Sequence, residues 1–168
     1  MDDLARETKE LWAIYAWWSC VLILKMNALT WFTGRIRVTR QVIHSEEDRM
    51  WMKGPDIIFC PTGGGHEDVD RIRSAHRHDL GSVLPFLLIA PLWLSASPLY
   101  PVARSILPCF ATVNLSYTLV HMEIVNVHRR CTTILSAVEL CILVCMSAMS
   151  VLHHANALWL EEPSRHSG

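Results

Sequence analysis

The sequence predicts an all-α integral membrane protein, a single four-helix bundle. Three observations carry that prediction. The chain of 168 residues is 51% hydrophobic and only 18% charged. Its apolar residues gather into four blocks, near the roughly 20 residues that a bilayer span requires. Its charges are segregated into the connections, so a formal net charge of −1 says less than where each charge sits. The chain has room for little beyond four spans. It reads as one domain over 1–160, with a polar tail at 161–168.

The first residues are polar and mixed in charge. The first span, 11–32, holds one charge, Lys25, while Trp12, Tyr15, Trp17 and Trp18 crowd its start and Trp31 and Phe32 its end. Aromatic residues gather in this way at membrane–water interfaces. The run is too long, and its leading segment too little positive, for a cleaved signal peptide, so a retained anchor is expected. Residues 35–40 continue the helix out of the membrane. Pro55, Pro61 and the glycines at 63–65 predict a loop over 56–66. The second span, 80–94, carries Pro85 and Pro91. Membrane helices tolerate proline where neighbours re-satisfy the freed carbonyls. The third span, 102–121, has Arg104 near its start and Pro108 inside it. A polar turn over 123–130 leads to the fourth span, 131–152, whose only charge is Glu139.

The polar run that feeds the second span is the most informative stretch. Glu67, Asp68 and Asp70 suit a helix N-terminus, where the macrodipole favours negative charge. On one helix, Asp70, Arg73, Ser74, Arg77 and Gly81 share a face. Its two arginines stand one turn apart at the level where water meets lipid. Guanidinium groups so placed can grip carboxylates in bidentate fashion. They can equally flank a membrane helix and touch headgroups, and spacing alone leaves both readings open. The same holds for Arg129 and Arg130.

Ten Lys and Arg residues lie in the long loop and the third loop, against four in the N-terminus, the second loop and the tail. The positive-inside rule then puts the long loop, 34–79, in the cytosol. The six cysteines include no Cys-x-x-Cys, and Cys20, Cys109, Cys141 and Cys145 fall within spans, where buried thiols behave as small apolar groups. His76 and His78 point to different sides of a helix, and no Cys/His spacing fits a metal site. Glu139 reads as the partner of an inward-facing polar group rather than as an acid catalyst. No nucleic-acid partner is expected.

The run Val69-Asp70-Arg71-Ile72-Arg73-Ser74-Ala75-His76-Arg77-His78-Asp79-Leu80, followed by Pro85-Phe86, resembles the signature of the MAPEG family. These are the membrane-associated proteins in eicosanoid and glutathione metabolism; the branch resembled holds microsomal glutathione transferase and microsomal prostaglandin E synthase. Lys25-Met26 and the helix exit over 34–40 are similar as well, and Ser45-Glu46-Glu47-Asp48 is similar to the family's Asn-Pro-Glu-Asp. The resemblance covers roughly 14–150. It implies a homotrimer of four-helix protomers in the endoplasmic reticulum or mitochondrial outer membrane, with glutathione bound between subunits at the cytosolic end.

The resemblance also implies roles for particular residues. Arg37 and Arg77 match glutathione-contacting arginines, and Arg130, at the start of the fourth helix, matches the catalytic one. Arg73, His76 and Asp79 stand behind these contacts. His78, a further glutathione-binding candidate, occupies the place of a usual Asn, and Gly81 that of a usual Glu. Asn114, Tyr117 and His121 occupy the places of an Arg, a His and a Tyr that contact glutathione. Cys131 and Ile134 depart from the usual Ser or Ala and from an aromatic hydroxyl. The implied activity is conjugation of glutathione to apolar electrophiles, or glutathione-dependent reduction of lipid hydroperoxides. A prostaglandin E-type isomerase using glutathione is one alternative. A diverged membrane protein that keeps the trimer and acts by interaction is another, favoured by His78, Gly81 and Asn114.

Overall fold

The computed structural model describes residues 2–43, 45–50, 57–60, 66–125, 128 and 130–161. Four helices dominate it: α1 (Asp2–Thr39), α2 (Glu67–Ser95), α3 (Tyr100–His121) and α4 (Arg130–Glu161). By length and composition α1, α2 and α4 can each cross a membrane. The 22-residue α3 does not reach the same apolarity, because Arg104, Ser105, Asn114 and Ser116 dilute it. Of the four expected apolar spans, three therefore meet that measure.

Each helix outruns its predicted span. The first carries residues 35–39 beyond the aromatic band, where Arg35 lies 5.3 Å from the ring centroid of Trp31. Polar residues 67–79 and the apolar run after them form the single helix α2. His66 caps it, its Nδ1 accepting from the Asp68 amide at 3.2 Å, and three acidic residues fill the first turn. That arrangement satisfies an orphan amide and opposes the positive end of the dipole. The fourth helix continues to Glu161. Part of the expected loop is ordered: Val42–Ile43 (β1) and Ile58–Phe59 (β2) pair in parallel, Val42 opposite Ile58. Three of these four residues are β-branched, and the fully buried Val42 and Ile43 anchor the ladder. Residues 51–56 and 61–65, Arg129 and the tail from 162 lie outside the described residues.

The prolines do not interrupt α2 or α3. Pro91 has no amide hydrogen to give the Leu87 carbonyl four residues earlier. Tyr15, from α1, donates its hydroxyl to that carbonyl at 3.0 Å. A neighbouring helix thus supplies what the proline removes.

In the bundle α1 packs on α2 and α3, and α4 packs on the same two, so α1 and α4 stand diagonally opposite. One apolar core fills the middle and the end away from the long loop: Leu22, Phe86, Trp93, Leu107, Phe110 and Met146 are all inaccessible to solvent. Phe86 and Phe110 stack with centroids 4.2 Å apart. A smaller core of Leu29, Ile72 and Ala75 lies toward the loop. Between the two cores the bundle is polar. The thiols of Cys20, Cys109, Cys141 and Cys145, expected to be buried, face outward instead. Cysteine is apolar enough for either side of a helix whose surroundings are also apolar.

Candidate functional site

The polar layer is built by all four helices. Lys25 of α1 falls between Leu22 and Leu29, one turn from each, and therefore points into the bundle. Its ammonium donates to Asp79 Oδ1 at 2.7 Å, Asn114 Oδ1 at 2.5 Å and Thr118 Oγ1 at 2.9 Å, so its three protons have three acceptors. Asn114 is central: its amide nitrogen reaches Ser82 Oγ at 3.1 Å and Glu139 Oε1 at 3.4 Å. Glu139, 1% exposed, holds His78 Nε2 at 3.0 Å through its other oxygen. Asp79 and Asn114 are wholly buried. Charges are costly in such surroundings unless paired and hydrogen-bonded; Asp79 is held through Oδ1, while its Oδ2 is buried without a hydrogen-bond partner among the described residues.

His78 marks where this layer meets the outside. Its ring is sandwiched at 3.7 Å against Tyr117, which in turn stacks on His121 at 5.4 Å. His78 lines a cleft of about 220 Å³ between α2 and α4, with Arg77, Gly81, Ser82, Ser136 and Glu139. Gly81, Leu140 and Leu143 also line an apolar groove of about 660 Å³, which continues down the same two helices past Pro85, Val144 and Leu152. A polar cleft and an apolar groove therefore share one wall.

The residues singled out in the sequence do not all meet. Arg77 and His78 line the cleft, and Tyr117 and His121 extend the stack behind it. Asn114 belongs to the buried layer, where its partners are protein groups. Arg37 is bonded to Asp48 of the long loop. Arg130 is exposed at the first position of α4, about 13 Å of helix above Glu139. Arg73 is half-buried beside the cleft face, and His76 Nδ1 is buried without a hydrogen-bond partner among the described residues. Among the described residues no three His, Cys, Asp or Glu side chains converge as metal ligands. Sequence reasoning missed Ser82 and Thr118. Their spacing gave a signal: each lies one turn from a polar residue of the layer, Ser82 from Asp79 and Thr118 from Asn114.

Fold and cleft together define a class: a helical bundle able to cross a membrane, with a buried charged layer opening beside an arginine. Within that class the chain is similar to prostaglandin E synthase of Canis lupus familiaris, 29% identical over 80 residues, which cover 48% of this chain and 49% of the relative. Prostaglandin E synthase of Homo sapiens gives the same identity and coverage. Microsomal glutathione S-transferase 1 of Sus scrofa is 32% identical over 101 residues, covering 58% of this chain and 63% of that protein. The chain spans about half the length of the prostaglandin E synthases it matches. No family model matches it. These likenesses support a relationship to the MAPEG proteins.

Proposed function

We propose that the chain is a membrane-embedded glutathione-dependent enzyme, a transferase or peroxidase acting on apolar electrophiles or lipid hydroperoxides. The observation that carries this reading is the shared wall of the polar cleft and the apolar groove. A water-soluble thiol can approach from the arginine-bearing end, and a membrane-dissolved partner from between α2 and α4. Arg77 is exposed there with no ion-pair partner among the described residues, which suits a carboxylate of the tripeptide. Arg37 lies at the same loop-side end and would exchange Asp48 for a second carboxylate.

Arg130 is the proposed catalytic residue. A thiol with its ordinary pKa near 8.5 is only a few per cent ionised at pH 7, and the thiolate is the nucleophile. A guanidinium reaching down from the first turn of α4 toward the cleft would stand beside the sulfur and favour the thiolate. A homotrimer would bring a second protomer against the outward apolar faces. The positive-inside rule puts the long loop in the cytosol, with the endoplasmic reticulum as the proposed membrane.

A second reading, an isomerase of prostaglandin E type with glutathione as cofactor, is favoured by the several prostaglandin E synthases among the similar proteins. The test is glutathione binding to the purified protein, followed by ultraviolet thiolate absorbance. A thiolate signal lost in Arg130→Ala is expected. No binding would overturn both readings, and product analysis would separate them.

A further inference from the structure

We infer that His78, positioned by Glu139, is the proton donor to the oxygen of the membrane-dissolved substrate, which makes a lipid hydroperoxide the preferred second substrate. The inference rests on the glutathione reading above and adds to it a residue pair that decides between its two substrate classes.

Four features carry it. Glu139 is buried deeply enough that water does not compete for it, and it accepts from His78 Nε2 at 3.0 Å. This fixes the ring and leaves Nδ1 as the nitrogen with no partner among the described residues. His78 lines the cleft one turn from Gly81, which the cleft shares with the apolar groove, so an acyl chain lying in the groove would bring a polar group at its upper end toward the imidazole. The layer holds two acidic side chains, Asp79 and Glu139, and Lys25 is bonded to the first of them, which leaves Glu139 to His78. Finally, the Tyr117 ring lies flat on the imidazole at 3.7 Å, a face that attracts a cation.

The groups facing His78 are accounted for on every element. Arg77 and Asp79 flank it on α2, Tyr117 stacks from α3 beside Asn114, and Glu139 and Ser136 come from α4. Lys25 of α1 reaches the layer through Asp79 and Asn114.

The glutathione thiolate attacks the terminal oxygen of the hydroperoxide, and the O–O bond breaks with its electron pair on the departing alkoxide. His78 gives that alkoxide its proton and forms the alcohol. Sulfur is oxidised by two electrons to the sulfenic acid, and a second glutathione converts it to the disulfide and water. An aryl chloride, by contrast, releases chloride and needs no proton there.

The experiment compares turnover of a fatty-acid hydroperoxide with that of 1-chloro-2,4-dinitrobenzene on the full chain in lipid nanodiscs. Taking the ratio of the two cancels any loss of glutathione binding common to both. A general acid contributes about 10²–10⁴-fold, so the ratio should fall at least about 100-fold in His78→Asn; Glu139→Gln, which leaves the histidine but removes its positioning partner, should lower it less, and Glu139→Asp should restore part of that loss. An unchanged ratio in both variants would overturn the assignment. So would a wild-type protein that conjugates the chloride but leaves the hydroperoxide intact, and the glutathione reading would then stand. A protein that binds no glutathione would end both.

Discussion

Lys25 Nζ on α1 lies 2.7 Å from Asp79 Oδ1 on α2, and the carboxylate of that pair is wholly buried. Removing one partner leaves the other charged, desolvated and unpaired. Such losses cost about 3–5 kcal/mol, whereas an exposed pair is worth about 0–1 kcal/mol. Lys25→Met and Asp79→Leu should each lower stability by an amount in the larger range, measured by unfolding in detergent. The double variant should recover stability relative to either single one, since no charge is then stranded. Single losses under about 1 kcal/mol would mean the pair is not the staple its geometry indicates.

Arg77 and Arg71 offer a matched contrast on one helix. Arg71 is already engaged by Glu67 at 2.6 Å and Glu123 at 2.9 Å, tying α2 to the turn after α3. Arg77 points into the cleft with its charge available. If a carboxylate of glutathione meets Arg77, Arg77→Leu removes a charged hydrogen bond worth about 1.5–3 kcal/mol, a loss of roughly 10- to 100-fold in affinity. Titration calorimetry should show that loss for Arg77→Leu and a much smaller one for Arg71→Leu. Equal effects would move the binding site away from the cleft.

Gly81 sits mid-helix, where a Cβ would meet nothing within 4 Å. Glycine in a helix interior costs about 0.5–1 kcal/mol relative to alanine. Gly81→Ala should therefore raise stability by about that amount in a detergent melt. Destabilisation would show that the space beside it is occupied in the protein as purified.

Much of this architecture was legible in the sequence. Four apolar blocks gave four helices, the acidic run at 67–70 gave the start of α2, and Glu139, read as the partner of an inward-facing polar group, is bonded to His78 and Asn114. What was not legible was which face of each helix turns inward. In a soluble helix polar residues mark the outside; where the surroundings are as apolar as the core, that contrast is missing. So the outward cysteines were misassigned, and nothing around Asn114 indicated that one side chain would touch Lys25, Ser82 and Glu139 together. The β1–β2 pair escaped because two-residue strands carry no periodicity.

The link between Tyr15 and Pro91 can be isolated by a double-mutant cycle. Tyr15 donates to the Leu87 carbonyl, which would accept from residue 91 if that residue had an amide hydrogen. In the wild type, Tyr15→Phe should cost about 1–2 kcal/mol, because the carbonyl loses its partner away from water. Pro91→Ala supplies an amide hydrogen at the right place on the helix. In that background Tyr15→Phe should cost measurably less, with a coupling of at least about 0.5 kcal/mol. Changes that add to within about 0.3 kcal/mol would mean that the tyrosine is not compensating for the proline. Coupling would identify Tyr15 as the group that lets α2 keep Pro91 inside an unbroken helix.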